Sequence, residues 1–263
     1  MDVNNRVIWI TGASSGIGEA LCYKLNEIGA KLIISSRSSE GLYQVKQNCT
    51  KNQFDIHVLP LDLEHTSDLQ SKANAALAIY GRIDIVIHSG GVSQRSLAMD
   101  TDLDVAKKIM NINFWGTVAL TNAVIPSMLS NKEGHIVIIS SLVGKFGTKF
   151  RSAYSASKHA LHGYFDSLRS EIDKNIGISI ICPGFIKTNV TINALTADGT
   201  KQNTMDEAQA NGMSANECAL QIINAIKSGK EEVYIGGKEK YAVILKRFLP
   251  GLFSKIVRKA KVT

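Results

Sequence analysis

The feature that most constrains the fold is the glycine-rich segment Thr11–Gly18, which reads TGASSGIG. It directly follows the apolar run Arg6–Thr11 and precedes a helical pattern. Glycines at Gly12, Gly16 and Gly18 permit a tight turn and let a ligand approach the backbone, while the start of the helix offers unpaired N–H groups to phosphates. A tight turn without a ligand is the alternative. The order strand, turn and helix favours a site for the pyrophosphate of a dinucleotide.

Apolar runs alternate with helical patterns along the chain. Continuous Val/Ile runs are typical of parallel strands that are buried on both faces, and helices between them form βαβ units. Seven strands are predicted, at Arg6–Thr11, Lys31–Ser36, Ile56–Leu59, Asp84–His88, His135–Ser140, Gly177–Ile181 and Glu232–Ile235. The predicted fold class is α/β: a single-domain, Rossmann-like, doubly wound parallel seven-stranded sheet with helices on both faces.

The helical patterns between these strands have recognisable limits. Beyond the first two, helices are predicted at Asp68–Tyr80, twice within Asp102–Leu129, at Ala153–Lys174, and from the capping box of Ser214 and Glu217 to about Lys227. The segment Asn189–Met213 is long, irregular and rich in Asn, Thr, Gly and Asp. A connection of this length is usually a functional lid or disordered.

Charge is concentrated at one end of the 263-residue chain. From Lys238 to Thr263 there are eight basic residues and one acid, which accounts for the whole net charge of +7. The neutral remainder argues against a nucleic-acid-binding protein, because such a protein needs a basic face on its body. We therefore predict a catalytic domain at 1–237 and a basic amphipathic extension, the C-terminal tail, at 238–263.

The pattern within the C-terminal tail predicts two short helices divided at Pro250–Gly251. One side of the helical wheel is apolar and consists of Phe248, Leu249, Leu252, Phe253, Ile256, Val257 and Ala260. The opposite side is basic and consists of Arg247, Lys255, Arg258 and Lys261. Two interpretations remain open: contact with a membrane surface, or packing on the body or another subunit. Packing is favoured for Tyr241–Leu245 and membrane contact for the last dozen residues.

Cysteine usage and apolar runs bear on the compartment. The four cysteines form no CxxC pair, so no disulfide framework or zinc site is expected. His159 and His162 are expected on a helix surface or an interface, without a third ligand for a metal. The sequence shows no apolar run that suits a signal peptide or a membrane span. We expect a cytoplasmic protein, with membrane association through the tail left open.

The end of the second strand indicates which dinucleotide is preferred. In NAD-binding folds of this type, an acid near this point holds the ribose 2′-hydroxyl. Here the strand ends at Ser35–Ser36, Arg37 follows, and no Asp or Glu is present at this point. An arginine can bind a 2′-phosphate, so NADP(H) is favoured over NAD(H).

A tyrosine and a lysine in YSASK, Tyr154 and Lys158, lie one turn apart at the start of a predicted helix. A nearby ammonium favours tyrosinate, so we expect a lowered Tyr154 pKa and proton exchange near neutral pH. Together with TGASSGIG, NFWG, Ser140–Ser141 and Pro183–Gly184, this motif resembles the short-chain dehydrogenase/reductase family. The resemblance runs from Val7 to about Gly237, nearest the orphan branch beside the hydroxysteroid dehydrogenases.

The resemblance implies roles for individual residues. Tyr154 matches the general acid/base, Lys158 its ribose-binding partner, and Ser141 the serine that hydrogen-bonds the substrate oxygen. Asn113 matches the asparagine that holds a water in the proton relay. Cofactor contacts are implied at Gly12, Ser14, Ser15, Gly16, Ile17, Gly18, Ser36, Arg37, Asp62, Leu63, Ser89, Gly90, Tyr154, Lys158, Pro183, Gly184, Ile186 and Thr188.

One motif departs from the family pattern. Where the family usually has Asn-Asn-Ala-Gly after the fourth strand, this chain has His88, Ser89, Gly90 and Gly91. The two glycines suit a backbone that lies near the adenosine ribose. Ser89 replaces part of the lost hydrogen bonding, and no role is predicted for His88.

The implied reaction interconverts a carbonyl compound and an alcohol by hydride transfer with nicotinamide. Substrate choice is expected to depend on the segment Asn189–Met213 and on Leu142, Val143 and Phe146. A moderately apolar pocket is expected there, which favours an apolar substrate. A non-catalytic dinucleotide-binding sensor or scaffold is the alternative, and a hydrolase is disfavoured because Ser141 lacks a G-x-S-x-G elbow. The resemblance also implies a homodimer or homotetramer that packs through the helix bearing Tyr154 and the helix before it.

Overall fold

Nine strands lie within residues 2–260, which are the residues that this computed structural model describes. They are β1 (Val7–Thr11), β2 (Lys31–Ser35), β3 (Ile56–Val58), β4 (Ile85–His88), β5 (Gly134–Ile139), β6 (Ile176–Pro183), β7 (Ile186–Lys187), β8 (Met213–Ser214) and β9 (Glu232–Ile235). Seven of them form one parallel sheet in the order β3-β2-β1-β4-β5-β6-β9. The predicted seven-stranded sheet is confirmed. Met1 and residues 261–263, Lys261 of the tail among them, lie outside the described residues.

Strand β1 shows why the sheet is covered on both faces. Its side chains alternate, so that Ile8 and Ile10 enter one apolar layer while Val7 and Trp9 enter the other. The indole N–H of the fully buried Trp9 donates a hydrogen bond of 2.8 Å to Ser35 Oγ on the neighbouring strand. The only polar atom of the largest buried side chain is thereby satisfied.

Ten α-helices lie within the same residues. They are α1 (Gly16–Ile28), α2 (Ser39–Asn48), α3 (Leu69–Tyr80), α4 (Leu103–Met110), α5 (Gly116–Asn131), α6 (Ser152–Glu171), α7 (Glu207–Ala210), α8 (Ala215–Lys227), α9 (Tyr241–Phe248) and α10 (Pro250–Lys259). Helices α1, α2 and α8 cover one face of the sheet, and α3, α5 and α6 cover the other. The predicted capping box of Ser214 and Glu217 begins α8.

A wide helical turn of the π type, Asn111–Trp115, joins α4 directly to α5. The sequence predicts two helices here but not the wide turn, which has no local signature. Gly116 follows it, and a Cβ on this residue would lie 2.3 Å from the carbonyl oxygen of Leu63. The turn places Asn113 in the interior, and turns of this kind are frequent at functional sites.

The segment Asn189–Met213, here called the lid, is ordered on the body of the protein. Strands β7 and β8 pair at its two ends. In its middle, Leu195 N–H donates to Ser93 O at 2.9 Å and Leu195 O accepts from Arg95 N–H at 2.8 Å. Of the two expectations for this segment, lid or disorder, the structure therefore favours the lid.

The C-terminal tail folds back onto the body as α9 and α10, which confirms the predicted division at Pro250. An inner row packs on the α6 side of the core and consists of Ala242, Val243, Leu245, Phe253 and Val257. An outer row remains exposed and consists of Ile244, Phe248, Leu249, Leu252 and Ile256. No helix within residues 2–260 combines the length and apolarity needed to cross a membrane.

Candidate active site

A cavity of about 750 Å³ lies at the edge of the sheet where the parallel strands end. Strand order reverses between β1 and β4 at this edge, and ligands of doubly wound sheets bind at such a reversal. The predicted site residues that line it are Gly12, Ser14, Ser15, Gly16, Ile17, Arg37, Ser89, Gly90, Ser141, Tyr154, Lys158, Pro183, Gly184, Ile186 and Thr188. The remaining five do not belong to its lining and are Gly18, Ser36, Asp62, Leu63 and Asn113.

The glycine-rich turn is tightly built. Gly12 has a φ of +67°, and a Cβ there would lie 2.7 Å from the backbone of Gly90. A Cβ on Gly18 would lie 2.3 Å from Gly12 O, so this glycine serves the packing of the turn rather than the cavity wall. Ser14 and Ile17 line the cavity beside the first turn of α1, whose N–H groups have no partners within the helix. This cradle fits the pyrophosphate of a dinucleotide.

Arg37, whose side chain is exposed, also belongs to the cavity lining. The preceding Ser36 donates a hydrogen bond of 3.3 Å to Ser38 O, so it shapes this loop. Asp62 is half-buried, and its Oδ1 accepts from Glu64 N–H at 3.0 Å. Arg37 thus places a cation in the cavity lining just after the end of β2.

His88 belongs to the core rather than to the cavity. Its Nε2 lies 2.9 Å from Thr121 Oγ1, which itself donates to Thr117 O at 2.8 Å. Because the threonine proton is used in that second bond, Nε2 must carry the proton of the imidazole. Burial lowers the pKa of His88 to about 3, so the ring is neutral.

Tyr154 and Ser141 meet at the wall of the cavity, from the first turn of α6 and the end of β5. Burial raises the pKa of Tyr154, and a hydrogen bond with Ser141 lowers it by less. The positive charges of Arg151 and Arg95 lower it further without reversing the shift. The expectation of a lowered Tyr154 pKa is therefore wrong for this structure, because the loss of hydration outweighs the neighbouring charges.

Lys158 is buried one helical turn from Tyr154, as the spacing predicts. Its Nζ lies 5.8 Å from the centroid of the Tyr154 ring and donates a hydrogen bond of 2.8 Å to Ile139 O. Burial lowers the pKa of Lys158 to about 8. The ammonium can therefore exchange a proton close to neutral pH.

Asn113 is held rigidly behind Lys158. Its Oδ1 accepts from Val92 N–H at 2.8 Å, and its Nδ2 donates to Val92 O at 2.9 Å and to Ser157 Oγ at 3.0 Å. A Cβ on Gly91 would lie 3.0 Å from Asn113 Oδ1 and 3.7 Å from Lys158 Nζ. Gly91 thus lets the amide and the ammonium lie side by side.

His162 is buried within the single chain, so the expectation of a helix-surface or interface position is wrong for this residue. Its Nε2 lies 3.1 Å from Ser140 Oγ and 3.6 Å from Cys182 Sγ, and its Nδ1 lies 3.4 Å from Glu232 Oε2. The side of α6 that faces the sheet places His162 against β6 and β9.

Cys182 is buried as expected, and burial raises the pKa of its side chain, which keeps it a thiol. No cluster suited to a metal occurs among residues 2–260.

Several lining residues were not predicted from the sequence. Arg95 and Arg151 line the cavity beside Tyr154, and Glu239 lines it beside Gly184. The tail also contributes part of the wall, through Ala242, Leu245, Phe253, Ile256, Val257 and Ala260. Among the apolar residues of the lid, Val190 and Leu195 line the cavity, whereas Met205 and Met213 do not belong to its lining. The signal for Arg95 in the sequence is its place in the loop after β4, at the same sheet edge as the glycine turn.

Comparison with known proteins agrees with this geometry. The family model described as short chain dehydrogenase matches residues 6–199. This chain belongs to the short-chain dehydrogenase/reductase family. A dehydrogenase/reductase SDR family protein 7-like of Anopheles gambiae is 40% identical over 268 residues, covering 98% of this chain and 83% of the relative. The resemblance predicted from the motifs is thus confirmed.

Solved structures show the same fold. A short-chain dehydrogenase/reductase of Burkholderia phymatum in complex with NAD superposes with a TM-score of 0.86 at 20% identity, over 96% of each chain. A short-chain dehydrogenase of Burkholderia cenocepacia J2315 in complex with NADP gives 0.81 at 20% identity, over 99% of this chain and 100% of the other. Membership of this family makes the protein an oxidoreductase that uses a nicotinamide dinucleotide and acts on small molecules.

Proposed function

We propose that this short-chain dehydrogenase/reductase is NADP(H)-dependent and interconverts a ketone or aldehyde and an alcohol, with Tyr154 as its general acid/base. The observation that carries the proposal is the convergence of Ser141, Tyr154 and Lys158 on one cavity with the glycine-rich cradle. Ser141 follows β5 whereas Tyr154 and Lys158 lie on α6, yet the phenol and the serine hydroxyl interact directly. The arrangement suits proton transfer beside a bound nicotinamide.

In the proposed mechanism, NADP(H) supplies or accepts the hydride when bound. Ser141 and Tyr154 donate hydrogen bonds to the carbonyl oxygen, where negative charge develops in the transition state. The Ser141 hydroxyl is oriented by Val143 N–H, which donates to its oxygen at 3.3 Å. In reduction Tyr154 gives up its proton, and its raised pKa keeps it protonated and ready to donate at neutral pH.

Lys158 and Asn113 would restore that proton. The Lys158 ammonium has a pKa of about 8, and its hydrogen bond to Ile139 O holds it 5.8 Å from the centroid of the Tyr154 ring. Asn113 is locked by Val92 and Ser157 beside it. We assign to Lys158 the binding of the nicotinamide ribose and the return of a proton to Tyr154. Asn113 supports this proton transfer.

The preference for NADP(H) is supported by Arg37. Arg37 lines the cavity just after β2, where the adenosine ribose would lie in this proposal, and residues 35–39 contain no acid. A 2′-phosphate would pair with this cation, whereas the 2′-hydroxyl of NAD(H) would gain little from it.

The test of the function is an NADPH-oxidation screen over small and lipid-like carbonyl compounds. We expect turnover by the unaltered protein and loss of it in Tyr154→Phe, with NADPH binding retained. Tyr164→Phe is the matched control, because Tyr164 lies on the same helix and its hydroxyl donates to Asn122 at 3.0 Å outside the cavity. Turnover by Tyr154→Phe would refute the assignment. NADPH binding without oxidation of any carbonyl would favour the sensor or scaffold instead.

We also propose that the tail contacts anionic membrane surfaces. The outer row of α9 and α10 exposes apolar side chains, with Phe248 at 71% exposure, next to exposed Lys246, Arg247, Lys255, Arg258 and Lys259. Apolar groups flanked by cations suit the interface of a bilayer that carries anionic lipids. The inner row packs on the body, so the packing interpretation holds for that face, and membrane contact is proposed for the outer row alone.

Assembly as a homodimer or homotetramer is proposed through α5 and α6. Ala156 and Gly163 are exposed on one face of α6, and Trp115 is 52% exposed before α5. Small exposed side chains on α6 and a large exposed ring at the start of α5 suit close packing against a second copy. Sedimentation equilibrium tests this assembly. We expect an oligomer for the unaltered protein and a monomer for Gly163→Trp, and a monomer in both would contradict the proposal.

A further inference from the structure

Gln94 is fully buried in the loop after β4, and both ends of its side-chain amide make hydrogen bonds. Its Oε1 accepts from the backbone N–H of Ala153 at 2.7 Å and from that of Tyr154 at 3.3 Å. Only the carbonyl oxygen of an amide can accept from two N–H groups, so the orientation of this side chain is fixed. Its Nε2 then donates towards hydroxyl oxygens within 3.2 Å, which belong to Ser96, Thr101 and Ser152.

The contacts of Gln94 Oε1 cap the helix that carries Tyr154. The first N–H groups of a helix have no partner within it, and a short side chain with an oxygen atom just before the helix usually accepts from them. Arg151 precedes α6, and a guanidinium has donors only. The bonds within the helix begin with Ser155 N–H, which donates to Arg151 O at 2.7 Å. Gln94 therefore supplies, from a separate segment of the chain, the acceptor that the residue before α6 lacks.

The backbone on either side of Gln94 is held to the lid without help from the Gln94 side chain. Leu195 N–H donates to Ser93 O at 2.9 Å, and Arg95 N–H donates to Leu195 O at 2.8 Å. Gln94 and Leu195 thereby form a parallel bridge between the loop and the lid. Because none of these bonds uses the side chain, a substitution at Gln94 should leave both the loop and the lid in place.

The first turn of α6 determines where the phenol of Tyr154 lies. Tyr154 is the third residue of this helix, and helix ends whose N–H groups lack acceptors fray. Its hydroxyl interacts with Ser141, which follows β5 and does not belong to α6. Lys158 lies in the next turn, where its own hydrogen bond to Ile139 O holds it. A loosened first turn would therefore move the phenol away from Ser141 while Lys158 stays where it is.

We propose that Gln94 is a positioning residue, which holds the Tyr154 hydroxyl at the reacting carbonyl by capping α6. This inference rests on the proposed function, because it concerns the residue that serves there as general acid/base. Gln94 does not belong to the cavity lining, so it acts through Tyr154 rather than on a ligand. A displacement of a catalytic group by about 1 Å can lower the rate on the order of a hundredfold, so the loss of this cap should be visible in turnover.

A cap that serves stability alone would behave differently. Its loss would lower the free energy of unfolding, and the molecules that remain folded would keep their turnover. A positioning role instead predicts a fall in kcat with KM and NADPH binding unchanged, because the contacts of the ground state in the cavity remain. Kinetic constants measured on folded protein therefore separate the two roles.

The test compares two substitutions of Gln94 in the full chain, with NADPH and decanal, or with the best substrate of the carbonyl screen if decanal is not reduced. Gln94→Met has a similar length but offers the two N–H groups no comparable acceptor. We expect its kcat to fall at least about thirtyfold, with KM and the dissociation constant of NADPH within about twofold of the original values.

Gln94→Glu should rescue the loss, because it keeps an acceptor and because a negative charge is favourable at a helix N-terminus. Its kcat should stay within about fivefold of the original value, since the nearby hydroxyl groups can turn to donate to the carboxylate. Amide hydrogen exchange of Ala153 and Tyr154 reports on the cap without any turnover. Exchange should become at least about tenfold faster in Gln94→Met and remain slow in Gln94→Glu.

The matched control is Ser214→Ala, which removes the cap of α8 at a residue outside the cavity lining. This variant should be less stable towards urea, with kcat within about twofold of the original value. An equal fall of kcat in Ser214→Ala and Gln94→Met would show that loss of any helix cap lowers turnover, and would overturn the proposal.

Unchanged kcat in Gln94→Met, or an equal loss in Gln94→Met and Gln94→Glu, would also overturn it. If Gln94→Met does not fold, Gln94→Asn decides, because its shorter amide cannot reach both N–H groups from the same backbone position. The kcat of Gln94→Asn should fall at least about tenfold, and an unchanged value would contradict the proposal. No turnover of any carbonyl by the unaltered protein would remove the proposed function together with this inference, whereas unchanged turnover in Gln94→Met removes the inference alone.

Discussion

The ring of Phe253 in helix α10 meets the ring of Phe146 edge-on, with 5.2 Å between their centroids. Phe253 is 5% exposed, although Leu252 and Ile256 in the same helix are about half exposed. The contact joins the far end of the tail to the loop after β5, which also carries Ser141. The tail is therefore part of the wall of the cavity, and substitutions in the tail should affect the rate of the proposed reaction.

Replacing Phe253 by alanine should enlarge the apolar part of the cavity. We expect kcat/KM for apolar carbonyl substrates to fall about tenfold, since a lost apolar contact worth about 1.4 kcal/mol in the transition state costs a factor of ten, while NADPH binding stays unchanged. The free energy of unfolding should fall by about 3 kcal/mol. Steady-state kinetics and urea unfolding measure the two effects. Leu252→Ala, on the exposed side of the same helix, should change neither; equal behaviour of both variants would contradict a role for Phe253.

The cofactor preference should depend on Arg37. In Arg37→Ala we expect KM for NADPH to rise about tenfold or more, because a charge-assisted bond to the 2′-phosphate is lost, with KM for NADH unchanged. Lys51→Ala removes an exposed cation away from the cavity and should leave both constants as they are. An unaltered NADPH to NADH ratio in Arg37→Ala would show that this residue does not select the cofactor.

Acid stability should depend on His88. Within residues 2–260 its Nδ1 is buried without a hydrogen-bond partner, and burial lowers its folded-state pKa to about 3. The unfolded chain binds a proton below about pH 6.5 while the folded chain does not, so stability present above that pH is lost as pH falls toward 3. This residue alone should cost about 2 kcal/mol between pH 7 and pH 5.

Urea unfolding of His88→Asn at these two pH values measures that cost. The variant should lose about 2 kcal/mol less than the unaltered protein over this interval. The remaining loss includes His135, whose pKa burial lowers to about 4 in the same way. His65→Asn, at an exposed position, should keep the original pH dependence. If His88→Asn keeps it as well, the neutral buried state inferred for His88 is wrong.

Membrane contact should require the outer row of the tail. We expect the full chain to sediment with phosphatidylcholine vesicles that contain phosphatidylserine, and less so at high salt, because salt screens the lysines and arginines. Phe248→Ser with Leu252→Ser should abolish sedimentation while leaving the inner contact of Phe253 intact. Phe54→Ser with Met99→Ser removes exposed apolar groups elsewhere and should have no effect. No vesicle binding, with a tail-dependent change in oligomeric state, would assign this surface to a second copy.

The sequence by itself determined the features that short-range rules govern. The glycine turn, the helix N-cap at Ser214 and the one-turn spacing of Tyr154 and Lys158 depend on backbone geometry over a few residues, and each lies where the sequence predicts it. The continuous apolar runs likewise predicted the parallel sheet, because burial on both faces leaves no polar alternation.

Only the tertiary structure decided which distant groups share one environment. Arg95, Arg151 and Asp206 come from three separate segments, and no local pattern indicates that they meet beside Tyr154. The raised pKa of Tyr154 and the burial of His162 have the same origin. Desolvation depends on everything that packs around a group, whereas sequence spacing records only its neighbours on one element. The chemistry of the cradle could therefore be predicted from the chain, and the charge of the substrate cavity could not.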